Sequence, residues 1–370
     1  MTESSGRSVL LVSPYHSGSH AQWASGYAAA SRHRVHIVSH EGQFWKWRLS
    51  GSAPTLAEAV VDHIAEHGAP DAILATSMTD VAGLLGLVRR QVDAPCGLYL
   101  HENQITYPTS GRTTTEQRLG LIAWTSLLAA DRVAFNSAFH RDSLFAALPG
   151  FLNSFPDRRQ HHLIESVAAR SEVLPVGIDL RRLDSHRPDH GSPPLLVWNH
   201  RWDPDKAPEA FLDLCLDLAE SVDYRVALAG ERFVGQGDEY RPLIDRLGDR
   251  VVVDRFLTRD EYDRLLVTAD IVVSTAHQEF FGVSVVEAMH AGAFPVLPDR
   301  LVYPERVPIE LHDRALYRGP AHAVELLRAA VEDIEGTRRV AEGLRAITGR
   351  FDWGEVAPRY DDWIESMIGS

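Results

Sequence analysis

Only two cysteines, Cys96 and Cys215, occur in the 370 residues, and they lie in apolar segments of different halves. A disulfide framework or a cysteine-ligated metal is therefore not expected, and both thiols should be buried. No run of eighteen apolar residues is present, which argues against a membrane-spanning helix. The start Met1-Thr2-Glu3-Ser4-Ser5-Gly6-Arg7 lacks a long apolar stretch, so no signal peptide is expected and a cytoplasmic location follows. Lysine is nearly missing: of 37 basic residues, only Lys46 and Lys206 are lysines. A chain that so favours arginine keeps a lysine for a local reason, such as a compact ammonium set against phosphate oxygens. Positive charge is in deficit overall, with a net charge of −14, which argues against a generic nucleic-acid surface. The deficit is uneven. Residues 1–190 carry 17 basic against 18 acidic groups and 13 of the 18 histidines, while the remainder carries 20 against 33. An anionic partner would be met by the first half.

What is present is enough apolar residue, 45%, to bury two cores, and the length suits two domains. Short β-rich runs alternate with helical stretches throughout, the pattern of parallel sheets covered by helices. The first six runs are 9–13, 35–39, 72–75, 97–100, 132–135 and 172–174. A polar stretch with three prolines, 184–194, reads as a linker. Five more runs follow at 195–199, 225–229, 251–254, 271–274 and 293–297. The expected organisation is a first α/β domain over 1–183, the linker, a second over 195–350, and a segment 351–370 whose helical period places a helix that crosses back to the first domain. No internal repeat or low-complexity tract is evident.

Three segments carry chemistry. Glu279-Phe280-Phe281-Gly282-Val283-Ser284-Val285-Val286-Glu287 runs from the end of an apolar strand through a glycine turn into an apolar helix, so the free N–H groups at the helix start suit a diphosphate. His200-Arg201-Trp202-Asp203-Pro204-Asp205-Lys206 follows another apolar strand, and places Arg201 and Lys206 where doubly wound sheets bind ligands. His101-Glu102-Asn103-Gln104-Ile105-Thr106-Tyr107-Pro108 gathers polar groups at the end of a third strand, which is costly unless they bind something.

Two weaker signals stay open. Tyr15-His16-Ser17-Gly18-Ser19-His20 lacks the three-glycine dinucleotide fingerprint, so nicotinamide binding is disfavoured. Gly18 is either a turn residue or a point of close backbone approach to phosphate. Glycine and serine interrupt the helix that a His16/His20 metal pair would need. Phe44-Trp45-Lys46-Trp47-Arg48, read as a loop, is either a half-buried staple or a surface that stacks on unpaired bases and grips phosphates.

Together these segments, with Phe135-Asn136-Ser137 and Leu301-Val302-Tyr303-Pro304-Glu305, resemble the tRNA-queuosine α-mannosyltransferases, which belong to the retaining nucleotide-sugar transferases with two facing Rossmann-like domains (GT-B) and a donor/acceptor crevice between them. The resemblance implies GDP-mannose as donor and queuosine in tRNA as acceptor. It implies that Glu279 holds sugar hydroxyls, Glu287 the ribose, and Arg201 with Lys206 the diphosphate, beside Phe281, Gly282, Val283 and Gly18. His101 would touch the donated sugar. Trp45, Lys46, Trp47, Arg48, Glu102, Asn103, Arg158 and Arg159 would face the acceptor. No cofactor or metal is expected, because two fixed cations supply what Mg²⁺ would, and Asp203-Pro204-Asp205 reads as loop and helix start. The competing readings are the same mechanism on a small metabolite or lipid, a pyridoxal-phosphate phosphorylase for which neither lysine has a convincing pocket, and a nucleotide-sugar-binding module without turnover.

Overall fold

The apolar runs become strands. A computed structural model describes residues 6–107, 113–186, 190–232 and 236–369. Residues 1–5, Pro108 and the linker residues Arg187, Pro188 and Asp189 lie outside the described residues. The chain divides into two compact units: Met1–Gly177 together with Trp353–Ser370, and Ile178–Asp352.

In the first unit, β1 (Ser8–His16), β2 (Arg34–Glu41), β3 (Ala72–Thr76), β4 (Cys96–Leu100), β5 (Arg132–Phe135) and β6 (Ser171–Val173) form one sheet in the order β2-β1-β3-β4-β5-β6. Every pairing is parallel. Helices cover both faces, so strand residues on either side are buried: Val9, Leu10, Leu11 and Val12 are all inaccessible to solvent. That is why these strands read as continuous apolar runs without alternation. In the second unit, β7 (Leu195–Trp198), β8 (Arg225–Leu228), β9 (Val251–Asp254), β10 (Ile271–Val273), β11 (Phe294–Pro298) and β12 (Leu316–Tyr317) form a second parallel sheet in the order β12-β11-β10-β7-β8-β9. The two-residue β12 was not anticipated. Both thiols are buried and free.

Strand order reverses at one place in each sheet: β1 lies between β2 and β3, and β7 lies between β8 and β10. The chain leaves the two strands of such a pair toward opposite faces, which opens a crevice at their carboxyl ends. Residues 17–20 follow β1, residues 200–206 follow β7 and residues 279–287 follow β10, whereas the polar segment at His101 follows β4.

Two expectations need correction. The change of unit falls at 177/178 and at 352/353, not within 184–194. Residues Arg181–Ser185 form a 3-10 turn of the second unit, anchored by buried Leu183 and by Arg182 on Asp263. The segment Trp45–Arg48 is not a loop: Trp45–Gly51 is a short helix, started by Phe44 in a left-handed conformation and fixed by buried Leu49.

The helix Trp353–Ile368 belongs to the first unit. Its Asp361 is buried and accepts from Tyr27 Oη (2.9 Å), Ser31 Oγ (2.6 Å) and the Arg32 N–H (3.0 Å). Tyr360 accepts from Trp23 Nε1 at 3.1 Å and donates to the Pro175 carbonyl at 3.0 Å. Trp363 lies so close over β4 that a Cβ at Gly97 would come within 2.5 Å of its ring. Gly97→Ala should therefore destabilise by about 1–3 kcal/mol through overpacking, read as a lower denaturant midpoint with an unchanged slope; equal stability would show that this helix yields freely.

Candidate active site

At the switch point of the second unit, the loops after β7 and β10 are stitched into one frame. Thr275 Oγ1 donates to the carbonyls of Lys206 and Ala207 at 3.0 Å each, and the His277 N–H donates to the Asp205 carbonyl at 2.7 Å. Gly230 is needed here, since a Cβ would meet the His200 carbonyl oxygen at 1.6 Å. Within this frame the buried Lys206 ammonium donates to the Gln278 carbonyl at 2.7 Å and lies 3.3 Å from Glu279 and 3.2 Å from Asp205. Burial lowers the Lys206 pKa, but Glu279 and Asp205 outweigh it and hold it above the usual lysine value. Burial likewise pushes Glu279 up, yet Lys206, His200 and the Phe281 N–H bring it down to about 2. Both groups are charged at neutral pH.

Glu279 Oε1 also accepts from the N–H groups of Phe280 (3.1 Å) and Phe281 (3.2 Å). The chain then turns at Gly282, whose φ of +83° is the left-handed conformation that favours glycine, and enters the helix Val283–Ala291 with no side-chain cap. Its first N–H groups therefore lack a side-chain acceptor from the cap residue, the arrangement at which anions bind. Phe281 is packed by Arg306, which lies 4.3 Å above its ring and donates to its carbonyl at 2.8 Å. Arg201 is half-exposed and pairs with Asp203 at 3.1 Å. The two aspartates of Asp203-Pro204-Asp205 therefore each sit on a cation.

Glu287 lies in the same helix but in a separate buried network. Its Oε1 accepts from Arg182 at 2.6 Å, and its Oε2 from Tyr262 Oη at 3.2 Å. Asn199 Nδ2 donates to Tyr262 Oη at 3.0 Å and to the Ser284 carbonyl at 2.9 Å. Burial lowers Arg182, but Glu287 and Asp263 more than restore its charge.

In the first unit, polar groups collect at the carboxyl ends of β1, β3 and β4. His101 is half-buried against Trp23, Tyr99 and His20, at ring centroids of 4.7, 4.8 and 4.5 Å. Burial, then His20 and His140, hold its pKa well below the ordinary histidine value, so the ring is neutral. Its carbonyl accepts from Asn136 Nδ2 at 2.8 Å, which fixes the strand end. Asn103 Oδ1 accepts from the N–H groups of Ile105 (3.0 Å) and Thr106 (2.8 Å) and closes the following turn. His101 Nε2, Glu102 Oε1 and Asn103 Nδ2 are enclosed and have no hydrogen-bond partner among the described residues. Each such atom costs about 1–3 kcal/mol, a cost that a bound ligand removes.

Gly18 has a φ of +49° and nothing near a Cβ, so backbone conformation and not space selects it. Contrary to expectation, Gly18 and Ser19 do not interrupt a helix: Gly18–Ala30 is helical from its first residue. Phe44 and Trp47 are 74% and 61% exposed, which rules out the staple reading for these two rings. Lys46 lies 5.5 Å from the Trp45 ring centroid. Arg158 and Arg159 are exposed on a separate loop, Arg158 with a φ of +48°.

Sequence reasoning missed Arg182, Asn199, Tyr262 and Arg306 as site residues. Only Phe135-Asn136-Ser137 and Leu301-Val302-Tyr303-Pro304-Glu305 offered a signal, through Asn136 and through Tyr303, whose Oη lies 2.6 Å from Ser274 Oγ.

Two parallel Rossmann-like sheets, one of them ending in a lysine–glutamate pair beside an uncapped helix start, define a glycosyltransferase of the GT-B class. Residues 184–339 match the family described as glycosyl transferases group 1, and residues 8–178 match the tRNA-queuosine alpha-mannosyltransferase N-terminal family. The tRNA-queuosine alpha-mannosyltransferase of Drosophila melanogaster is 34% identical over 316 residues, 82% of each chain. A GDP-mannose:cellobiosyl-diphosphopolyprenol alpha-mannosyltransferase of Xanthomonas oryzae is 25% identical over 209 residues, 54% of each. The crystal structure of Anabaena HepE in complex with UDP shares the fold, with a TM-score of 0.69 at 20% identity over 97% of this chain and 100% of that one. This chain belongs to the tRNA-queuosine alpha-mannosyltransferase family.

The depressed Glu279 pKa makes a prediction with a definite sign. Its ordinary value is 4.5 and its folded value about 2, so its contribution to stability is complete above about 4.5 and is lost as pH falls toward 2. Replacing Glu279 with Gln should flatten this acid limb in urea-denaturation midpoints between pH 6 and pH 3. An unchanged acid limb would mean that the carboxylate is not held charged.

Proposed function

We propose that this chain transfers mannose from GDP-mannose, with retention of configuration, to the cyclopentenediol of queuosine in tRNA. The observation that carries the reading is the buried Lys206–Glu279 pair beside the uncapped start of the helix Val283–Ala291. The diphosphate lies on those N–H groups, with Arg201 and Lys206 neutralising it. Glu279 accepts from hydroxyls of the sugar. Glu287, oriented by Arg182 and Tyr262, accepts from ribose hydroxyls. Neutral His101 forms a hydrogen bond to the donated sugar. The names of the relatives support the two substrates: the Drosophila enzyme is named for queuosine in tRNA, and the Xanthomonas enzyme for GDP-mannose.

Neither glutamate is a nucleophile in this scheme, because each is held by cations and N–H groups of its own. The bond from the anomeric carbon to the phosphate oxygen breaks while a bond to the acceptor oxygen forms on the same face. The departing phosphate oxygen takes the acceptor's hydroxyl proton, and Arg201 with Lys206 stabilises the charge that builds there. The products are GDP and the mannosylated nucleoside, with no atom unaccounted for. With two cations and a helix start on the diphosphate, the reaction needs no metal.

Thermal shift with GDP, UDP and ADP, followed by transfer assays on queuosine-containing tRNA, tests donor and acceptor separately. Arg201→Ala and Lys206→Ala should each lose roughly 1.5–3 kcal/mol of transition-state stabilisation, about ten- to a hundredfold in rate, and turnover should persist in excess EDTA. Full activity in both variants would remove the donor assignment; loss in EDTA with rescue by Mg²⁺ would move Asp203 and Asp205 into a metal site.

On the acceptor side, Lys46, Arg48, Arg158 and Arg159 are the cations for phosphate, and Trp47 is exposed for stacking on an unpaired base. Arg48→Ala with Arg158→Ala should lower the log–log salt slope of tRNA binding by roughly 0.7–0.9 per lost contact. Trp47→Ala should instead weaken binding by about 1–3 kcal/mol at every salt concentration, and GDP affinity should not change in either. Consumption of GDP-mannose without saturable tRNA binding at low salt would hand the acceptor role to a small metabolite or a lipid.

A further inference from the structure

Away from the switch point, on the outer edge of the first unit, three histidines converge. His63 and His67 stand one turn apart on the helix Ala53–His67, and His36 faces them from the edge strand β2. One ligand atom from each of the three lies within 4.8 Å of the other two. The ring centroids are 4.7 Å (His36 to His63), 4.7 Å (His63 to His67) and 5.3 Å (His36 to His67). His63 Nε2 is enclosed and has no hydrogen-bond partner among the described residues.

Stacking alone accounts poorly for this arrangement. Among the described contacts the three imidazoles make no hydrogen bond to one another, and the enclosed nitrogen of His63 costs about 1–3 kcal/mol if nothing binds it. The sequence His63-Ile64-Ala65-Glu66-His67 has the spacing of helical metal-binding histidine pairs.

We propose that His36, His63 and His67 bind one divalent first-row transition-metal ion of the Zn²⁺ class. Nitrogen-only ligation suits Zn²⁺, Ni²⁺ or Co²⁺ and not the oxygen-seeking Mg²⁺ or Ca²⁺. A tetrahedral ion with Zn–N bonds of about 2.0–2.1 Å sets its ligand nitrogens about 3.3 Å apart, a closure that side-chain rotation supplies, since His67 is exposed. Three histidines leave the fourth position to water. Glu66, 3.7 Å from His67 Nε2, is placed to orient that ring.

The ion would tie β2 to the helix Ala53–His67 and so close the chain between residues 36 and 63. That loop contains the helix Trp45–Gly51 with its exposed Trp47. The metal would therefore stiffen the base of the aromatic and basic helix, a structural role that rests on the acceptor reading above, whereas binding itself does not. Because the ion is distinct from the transferase chemistry, its test uses no turnover.

Metal-stripped full-length protein should be titrated with ZnCl₂ by calorimetry, with Co²⁺ as a spectroscopic probe and thermal shift as a second readout. One tight equivalent is expected, together with tetrahedral Co²⁺ absorption and a rise in Tm. His67→Gln, at an exposed position that does not threaten folding, should weaken Zn²⁺ binding by more than about tenfold and abolish both the absorption and the Tm rise. His63→Gln should do the same, and if it fails to fold, His67→Gln decides. His161→Gln, elsewhere on the surface, should bind as the parent does. No saturable binding, or a tight equivalent that survives His67→Gln, would overturn the site.

Discussion

A charged lysine and a charged glutamate, 3.3 Å apart in a largely dry pocket, set the terms for the second unit. Taking either ion out of water costs several kcal/mol, so the pair persists only where other polar groups complete its coordination. The Gln278 carbonyl and Asp205 do this for Lys206, and two backbone N–H groups do it for Glu279. Those requirements fix the loop after β7 against the loop after β10. They also place the residue before the helix Val283–Ala291 in a conformation that glycine takes easily. In the proposed reaction these dipoles and charges, already fixed by contacts within the chain, would need little reorganisation.

The first unit treats its polar groups differently. Asn136 and Asn103 are bonded so as to shape the strand end and the next turn, while His101 Nε2, Glu102 Oε1 and Asn103 Nδ2 are enclosed and have no partner among the described residues. In the second unit the buried charges are paired within the chain, although Asn199 Oδ1 and His200 Nε2 there are likewise enclosed without a partner among the described residues. A ligand that lacked matching groups would leave such atoms unpaired, which is how a site of this kind discriminates.

Much of this was legible in the sequence because parallel strands covered on both faces are written as unbroken apolar runs. Eleven of the twelve strands were legible as short β-rich runs, most of them apolar throughout, and β12 escaped because two residues carry no period. Glu279, Gly282 and Lys206 were legible because one short strand-to-helix segment, or one scarce residue type, holds the signal. The Arg182–Glu287 contact was not: 105 residues separate the partners, and arginine is too common here to draw notice. The unit boundary was missed for a related reason. Polar, proline-rich composition marks exposed chain, whereas the units change at Gly177/Ile178 and Asp352/Trp353, where the composition carries no such signal. The helix Trp45–Gly51 was taken for a loop because its mixed rings and charges show no apolar period, and only Leu49 anchors it.

The placement of Trp353–Ile368 in the first unit has a consequence for synthesis. Trp23, Tyr27 and Tyr99 are covered by this helix, and Asp361 completes hydrogen bonds begun by Tyr27 and Ser31. A ribosome must translate all of the second unit, residues 178–352, before the closing piece exists. Domains usually fold in the order they are made, at about 5–20 residues per second. Here the unit begun first is finished last, and its aromatic face stays open to water, or to a chaperone, for on the order of ten seconds or more after the rest of its sheet has emerged.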